Sequence, residues 1–143
     1  MHDSNATVHV DKKWGYETHF VNNELYCGKR LTVLPNGFAC SIHYHAKKRE
    51  TFFIERGALF LEIYRPLAGL ESKLALGRPI TLNDFQARPN FRLMKVGEKC
   101  TLHPFIAHRF WTKSEVCEFL EFSTHDDPTD SIRLEESGPV PYA

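Results

Sequence analysis

The chain has 143 residues, and its 18 lysine and arginine residues are balanced by 18 aspartate and glutamate residues. This length predicts one domain over residues 1–143, since it is too short for two domains of ordinary size. The balanced charge excludes the basic surface with which many proteins bind nucleic acids or anionic membranes.

The ends and the cysteines of the chain bear on its compartment. The N-terminal segment MHDSNATVHV lacks the charged and then apolar pattern of a secretory signal, and no apolar run reaches membrane-spanning length. The four cysteines are dispersed without a C-x-x-C pair: Cys27, Cys40, Cys100 and Cys117. We therefore expect reduced thiols, a cytoplasmic location and a small-molecule partner, with no nucleic acid and no membrane.

Short β-like runs follow one another along the chain. In order they are YETHFV, LYCGKRLTVL, ACSIHYH, TFFIER, ALFLEIYR, NFRLMKV, KCTL, AHRFWT and VCEFLEFS. Turn residues separate them, and no long helical periodicity intervenes, so the pattern predicts an antiparallel sandwich or barrel. We expect residues 65–90 to form a loop region that links two halves of the barrel. We expect residues 124–143 to form a charged C-terminal extension that either packs along the edge of the domain or extends freely into solvent.

Four residues form a candidate metal site. His43 and His45 lie two positions apart, so both point to the same face of a strand. Glu50 begins the next apolar run and returns to that face across a hairpin, and His108 lies in the later run AHRFW. Three imidazoles and a carboxylate predict one divalent transition metal, and Mn, Fe, Ni and Zn all suit them. About two positions of a six-coordinate ion would stay open for neighbouring oxygens of a sugar.

These spacings resemble the cupin superfamily. Gly37, His43, His45, Glu50 and Gly57 reproduce the first cupin motif without a mismatch. The second motif is half kept, with its glycine and histidine eleven residues apart and departures at three positions: Gly97 and His108, then His103, Phe105 and Thr112. The resemblance implies an all-β fold, a cupin-type antiparallel barrel that is a jelly roll of two facing sheets.

Further segments resemble cupin sugar isomerases. KKWGYETHFV is similar to the opening strand of type II phosphomannose isomerases, and FLEFSTHDDPTDSIRLEE is similar to their closing segment. These similarities align Trp14 and Gly15 at the front with Glu121, Asp130 and Arg133 at the back. HYHAKKRET resembles the metal strand of D-lyxose isomerase. In a departure from the phosphomannose isomerases, Lys47, Lys48 and Arg49 follow Ala46, where those enzymes usually place an arginine close behind the histidines.

The resemblance implies a metal-dependent isomerase that interconverts aldose and ketose forms of a free, phosphorylated or nucleotide-linked sugar. Two alternatives stay open: an Fe-dependent cupin dioxygenase and a non-catalytic metabolite-binding cupin. Polar groups around the metal would favour the isomerase, whereas a pocket lined mainly by phenylalanine would favour the oxygenase.

An isomerase needs a proton acceptor that is not a metal ligand. Glu121 is the first candidate because it shares strand parity with Cys117 and Phe119, although a solvent-facing position on a terminal strand is the alternative. Lys48 would assist by holding a substrate hydroxyl or phosphate, or else lies on a solvated loop.

The other candidates are less specific. His103 is a candidate for catalysis, or else has only a structural role in a turn, and His125 is a candidate for substrate binding. Arg133 would clamp a phosphate or form a surface pair with Asp130. Finally, sheet edges of this fold are commonly covered by association, so we expect a homodimer with the strand around Trp14–Val21 in the contact.

Overall fold

The computed structural model describes residues 6–141, in which nearly all regular structure is β-strand. The described strands are β1 (Val8–Lys12), β2 (Gly15–Asn22), β3 (Cys27–Val33), β4 (Phe38–Ala39), β5 (Ile42–His45), β6 (Glu50–Arg56), β7 (Ala58–Tyr64), β8 (Asn90–Lys95), β9 (Lys99–Leu102), β10 (Ala107–Trp111), β11 (Cys117–Ser123), β12 (Ser131–Glu135) and β13 (Gly138–Pro139). A short helix, α1 (Leu70–Ala75), and 3-10 turns at Leu82–Asp84 and Pro128–Asp130 accompany them.

The strands form two antiparallel sheets that face each other. The six-stranded sheet has the order β1-β2-β3-β11-β6-β9, and the five-stranded sheet has the order β12-β5-β10-β7-β8. A short ladder joins β13 to β4. The prediction of an all-β, cupin-type jelly roll of two facing sheets is confirmed, although in residues 6–141 the ladders do not close the two sheets into a continuous barrel.

Apolar side chains from both sheets fill the space between them. Leu31 and Phe119 come from the six-stranded sheet, Leu61 and Phe110 come from the five-stranded sheet, and all four are buried in one cluster. Phe110 and Phe119 meet edge to face, with ring centroids 5.2 Å apart. Burial of each such side chain contributes roughly 1.5–3 kcal/mol to stability. This core fixes the separation across which polar side chains of the two sheets meet.

Two glycines allow close approaches that shape the sheets. Gly57, in the turn between β6 and β7, has a φ of 72°, and a Cβ there would lie 2.3 Å from the carbonyl oxygen of Val116. Gly15 has a φ of 152°, and a Cβ would lie 1.9 Å from the carbonyl oxygen of Thr32. A side chain at either position would displace a neighbouring strand.

The region predicted as a linking loop, residues 65–90, contains α1 and covers the outer face of the five-stranded sheet. Leu70 and Phe85 from this region pack with Ile42 and Tyr44 of β5. Because side chains alternate along a strand, the covered face of β5 is opposite to the face that carries His43 and His45. The segment therefore buttresses the strand that presents the two histidines.

The charged C-terminal segment is integrated into the fold. Ser131–Glu135 pairs with β5 as the edge strand of its sheet, and Gly138–Pro139 pairs with β4. Residues 142 and 143 of the predicted extension lie outside the described residues.

The strand expected at a dimer contact is an inner one. Strand β2 lies between β1 and β3, so its backbone is paired on both sides, and Trp14 next to it is buried. The homodimer stays a prediction. Among the helices of residues 6–141, none has the length and apolar character needed to cross a bilayer.

Candidate metal centre

Three histidines converge on one face of the five-stranded sheet. Strands β5 and β10 are neighbours, and His43 pairs directly with His108. His45 lies two residues further along the same face of β5. One ring nitrogen from each histidine lies within 4.8 Å of the corresponding nitrogens of the other two. Such a cluster suits a single metal ion.

Backbone carbonyls orient each imidazole. The Nδ1 atoms lie 3.0 Å from the Ser41 oxygen for His43 and 3.1 Å from the Ile106 oxygen for His108. His45 Nδ1 lies 3.2 Å from the Asp130 oxygen. Because a carbonyl only accepts, Nδ1 carries the proton in each of these contacts, which leaves the Nε2 lone pair for a metal.

Electrostatics keep two of these imidazoles neutral. Burial lowers the pKa of His43 well below its ordinary value, and the neighbouring His108 and His45 lower it further. Burial likewise lowers the pKa of His45 to about 4, against the raising effect of Glu50. A neutral imidazole is the form that coordinates metals.

Glu50 reaches the histidines from the facing sheet. Its Oε1 lies 3.0 Å from Nε2 of His108 and 3.8 Å from Nε2 of His45, and the residue is 2% exposed. Burial favours a raised pKa for this carboxyl, but His108 and Lys48 beside it outweigh burial and hold the pKa well below its usual range. Glu50 is therefore ionised.

One buried atom of Glu50 and one of His108 lack the hydrogen bonds that buried polar atoms need, and a metal ion would satisfy both atoms. Oε1 of Glu50 and Nε2 of His108 are close together, yet neither has a partner in hydrogen-bond geometry. A buried polar atom without a hydrogen bond is costly unless a cation satisfies it. The oxygen and the nitrogen, with two further neutral imidazoles, are a donor set that fits a divalent transition metal.

Lys48 joins the candidate metal ligands to a second group of charged side chains. Its ammonium lies 3.2 Å from Glu50 Oε2, 3.1 Å from Glu121 Oε2 and 3.0 Å from Asp126 Oδ1. Lys48 is 4% exposed. Burial favours a lower pKa for this amine, but Glu121, Glu50 and Asp126 outweigh it and raise the pKa. Lys48 thus stays charged inside the protein.

Further charges extend the network across the six-stranded sheet. Lys29 lies 2.9 Å from Asp126 Oδ2 and 3.7 Å from Glu17 Oε1, and that glutamate oxygen lies 2.7 Å from Nε2 of His19. Burial favours a raised pKa for Asp126, but Lys48 and Lys29 overcome it and lower the pKa. The cationic and anionic side chains therefore hold one another in their ionised forms.

Glu121 lies at the centre of this face. It pairs with Lys29 on β3 and with Phe52 on β6, so the three side chains share the inner face of the sheet. Burial and the nearby Glu50 raise the pKa of Glu121, while Lys48 and Lys29 oppose that rise.

The metal ligands and the charge network line one cavity of about 680 Å³. Its apolar wall includes Trp14, Leu31 and Phe110. Polar residues from both ends of the chain also line it: Asp11, Lys12, Lys13, Ser131, Arg133, Glu136 and Ser137.

The structure brings some sequence-predicted candidates into this cavity and leaves others outside. His43, His45, Glu50, His108, Lys48 and Glu121 line it, and so does Arg133 on the edge strand β12. The exposed guanidinium of Arg133 pairs with Glu136 at 3.1 Å, whereas Asp130, its predicted partner, is buried against the loop after β5.

Two predicted histidines lie outside the cavity. His103 is exposed in the turn before β10, where its carbonyl accepts a hydrogen bond from the Ile106 N–H. His125 lines a second, smaller pocket instead, where its Nδ1 lies 2.8 Å from the carbonyl oxygen of Asn23.

Sequence reasoning missed Glu17, Lys29 and Asp126. One signal was present, because Lys29 alternates with Cys27 and Leu31 in the run CGKRLTV and so occupies a core-facing position in its strand. Glu17 and His19 likewise lie two positions apart in the run YETHFV, so their side chains share one face of the strand. Asp126 lies in a loop, where no periodicity indicates its direction.

Comparison with solved structures agrees with the fold. The capsular polysaccharide assembling protein CapF from Staphylococcus aureus matches with a TM-score of 0.68 at 16% identity over 92% of this chain and 33% of that chain. The oxalate decarboxylase of Lactobacillus farciminis matches with a TM-score of 0.64 at 15% identity over 90% of this chain and 34% of that chain. The chain thus spans about a third of the length of these proteins, and identities this low show the fold alone.

Sequence comparison identifies the family. Comparison with curated proteins finds no match. The family profile described as D-lyxose isomerase matches residues 12–142, a range that holds β2 to β13 and every cavity residue from Lys12 onward. Since this match covers most of the chain, the chain belongs to the D-lyxose isomerase family.

Proposed function

We propose that the protein is a metal-dependent isomerase that interconverts the aldose and ketose forms of a free, uncharged sugar. One observation carries the proposal: a buried carboxylate that is not a metal ligand, Glu121, shares a lysine with the ligand Glu50 inside one cavity. Membership of the D-lyxose isomerase family supports the same reaction class.

The metal would be held by Nε2 of His43, His45 and His108 and by the carboxylate of Glu50. When bound, a divalent ion there supplies a Lewis acid that polarises a sugar carbonyl and makes the neighbouring hydroxyl more acidic. The donor set suits Mn, Fe, Ni and Zn alike.

Glu121 is the proposed base. Aldose–ketose conversion moves one hydrogen from C2 to C1 and another from the C2 hydroxyl to the C1 oxygen. Glu121 would take the C2 proton and return it to C1. Its raised pKa, caused by burial and by Glu50, makes it a stronger base than an exposed glutamate. Lys48 holds the carboxylate in place through its ammonium.

Charge balance in the cavity supports an uncharged substrate. The inner network has four carboxylates, Glu17, Glu50, Glu121 and Asp126, and two ammonium groups, Lys29 and Lys48. Four negative and two positive charges leave a formal charge of −2, which one divalent cation neutralises. Both of these lysines are already paired with carboxylates. The other lysines and the arginine that line the cavity, Lys12, Lys13 and Arg133, are exposed rather than buried beside the candidate metal ligands.

The polar character of the wall favours the isomerase over the dioxygenase. Around the ligands, the wall combines carboxylates and lysines with a few aromatic side chains. Sugar hydroxyls need such donors and acceptors, whereas an apolar oxygenase substrate would leave them unpaired.

The experiment uses protein stripped of metal and reloaded separately with Mn²⁺, Fe²⁺, Ni²⁺ or Zn²⁺. Each form is incubated with free pentoses and hexoses, including D-lyxose, and with the matching sugar phosphates. We expect ketose from a free aldose and, in deuterated water, deuterium at C1 or C2 where the proton exchanges with solvent. A preference for the phosphates would reject the substrate class. Oxygen consumption by the Fe²⁺ form without ketose would favour the dioxygenase, and binding without turnover would favour the metabolite-binding cupin.

A further inference from the structure

Asp130 is a buried carboxylate far along the chain from the proposed metal ligands, yet it contacts the segment that carries His45 and Lys48. It ends the 3-10 turn Pro128–Asp130 and is 7% exposed. Its side chain points at the loop between His45 and Glu50, and its backbone points at the His45 ring.

The side chain of Asp130 accepts hydrogen bonds from three consecutive backbone groups. Oδ1 accepts from the N–H groups of Ala46 and Lys47, both at 3.0 Å, and Oδ2 accepts from the N–H of Lys48 at 2.9 Å. Hydrogen bonds to an ionised acceptor are stronger than neutral ones. These bonds fix the backbone from which Lys48 reaches Glu50 and Glu121.

The backbone of Asp130 also orients a metal ligand. His43 and His108 each use a carbonyl two residues earlier in sequence. His45 instead uses the carbonyl of Asp130, from the C-terminal part of the chain. One residue therefore fixes both the tautomer of His45 and the position of Lys48.

We infer that Asp130 is a positioning residue that sets metal affinity through His45 and turnover through Lys48. The inference rests on the metal site of the proposed function. Outer partners of metal-binding histidines typically change metal affinity about 10–100-fold when altered. The C-terminal segment thus belongs to the active site, although it supplies no ligand.

The test compares Asp130→Asn with Asp127→Asn. Asp127 caps the same turn, and its carboxylate accepts hydrogen bonds from the N–H and the hydroxyl of Thr129 rather than from the N–H groups of residues 46–48. Asparagine keeps the shape of Asp130 but removes its charge and turns an NH₂ group toward the loop donors. We expect the dissociation constant for Zn²⁺ to rise about 10–100-fold in Asp130→Asn and to stay within about twofold in Asp127→Asn.

Two further readouts separate positioning from general stability. At saturating metal and well below the melting temperature, Asp130→Asn should lower kcat more than it raises KM, because Lys48 and Glu121 act on bound sugar. Amide hydrogen exchange at residues 46–48 should be slow in the wild type, fast in Asp130→Asn and slow in Asp127→Asn.

The outcomes distinguish this inference from the proposed function. Wild-type protein that binds Zn²⁺, with unchanged affinity in Asp130→Asn, overturns only the inference. Fast exchange of the 46–48 amides in the wild type also overturns it, and needs no variant that folds. Absence of Zn²⁺ binding by the wild type rejects the metal site itself, and with it the proposed function.

Discussion

The two sheets that face each other across the cavity contribute different kinds of side chain. The five-stranded sheet presents three imidazoles, each oriented by a backbone carbonyl. The six-stranded sheet and its adjoining loops present ionised groups that are oriented by one another, with Lys48 and Lys29 shared among the carboxylates. Replacing one side chain removes no backbone carbonyl, whereas it breaks every ion pair that this side chain shares.

This difference predicts two kinds of response to mutation. A substitution on the histidine side should remove metal and leave the protein folded. A substitution on the charged side should disturb several groups at once, because the remaining charges lose their partner in a buried environment.

The largest effect is expected at the histidines. His45→Ala and His108→Ala each remove one of the four proposed ligands, so metal affinity should fall by more than the roughly 10–100-fold that outer partners contribute. Metal per protein should collapse by elemental analysis, while circular dichroism stays that of the wild type. Full metal occupancy in both variants would contradict the site.

The next effect is expected at Glu121. Glu121→Gln keeps the shape of the side chain but removes the basic carboxylate, so turnover should fall about 10²–10⁴-fold. Metal content should match that of the wild type. Turnover within a few-fold of the wild type would eliminate Glu121 as the base.

Lys48 tests the mutual dependence of the charges. Lys48→Met leaves three carboxylates without their shared ammonium, and breaking a buried ion pair in this way costs about 3–5 kcal/mol. We expect this loss in the free energy of unfolding from denaturant titration of metal-free protein. The double variant Lys48→Met/Glu121→Gln should recover part of it. Equal stability of the single variant and the wild type would show that the charges act independently.

The smallest effect is expected at the cavity mouth. Arg133 pairs with Glu136 in solvent, and exposed pairs contribute only about 0–1 kcal/mol. Arg133→Met should therefore change kcat/KM for a free sugar less than about fivefold. A loss of several orders of magnitude would instead point to an anionic substrate that this guanidinium binds.

The same contrast explains what the sequence could predict. His43, His45, Glu50 and His108 lie on strands, where alternation and motif spacing determine which side chains meet. The order of short strands and turns predicted an antiparallel sandwich or barrel for the same reason, and the family resemblance added the two facing sheets.

Positions outside strands could not be predicted in this way. His103 and His125 lie in connecting segments, and the structure places both away from the cavity. Asp126 and Asp130 lie in such segments too, and their roles depend on contacts with residues far away in the chain. Strand alternation carries no information about these contacts.

The pairing of β3 with β11 also has a consequence for folding. More than half of the chain, from Val33 to Cys117, separates these two neighbours in the sheet, and β11 pairs with β6 on its other side. During synthesis, the N-terminal hairpin of β2 and β3 must wait with one edge unpaired until β11 emerges from the ribosome. Contacts between distant parts of a chain close slowly because of the entropy of the intervening loop. The candidate metal site needs a long-range contact of the same kind, because His108 on β10 meets His43 on β5. We therefore expect metal to bind late in folding.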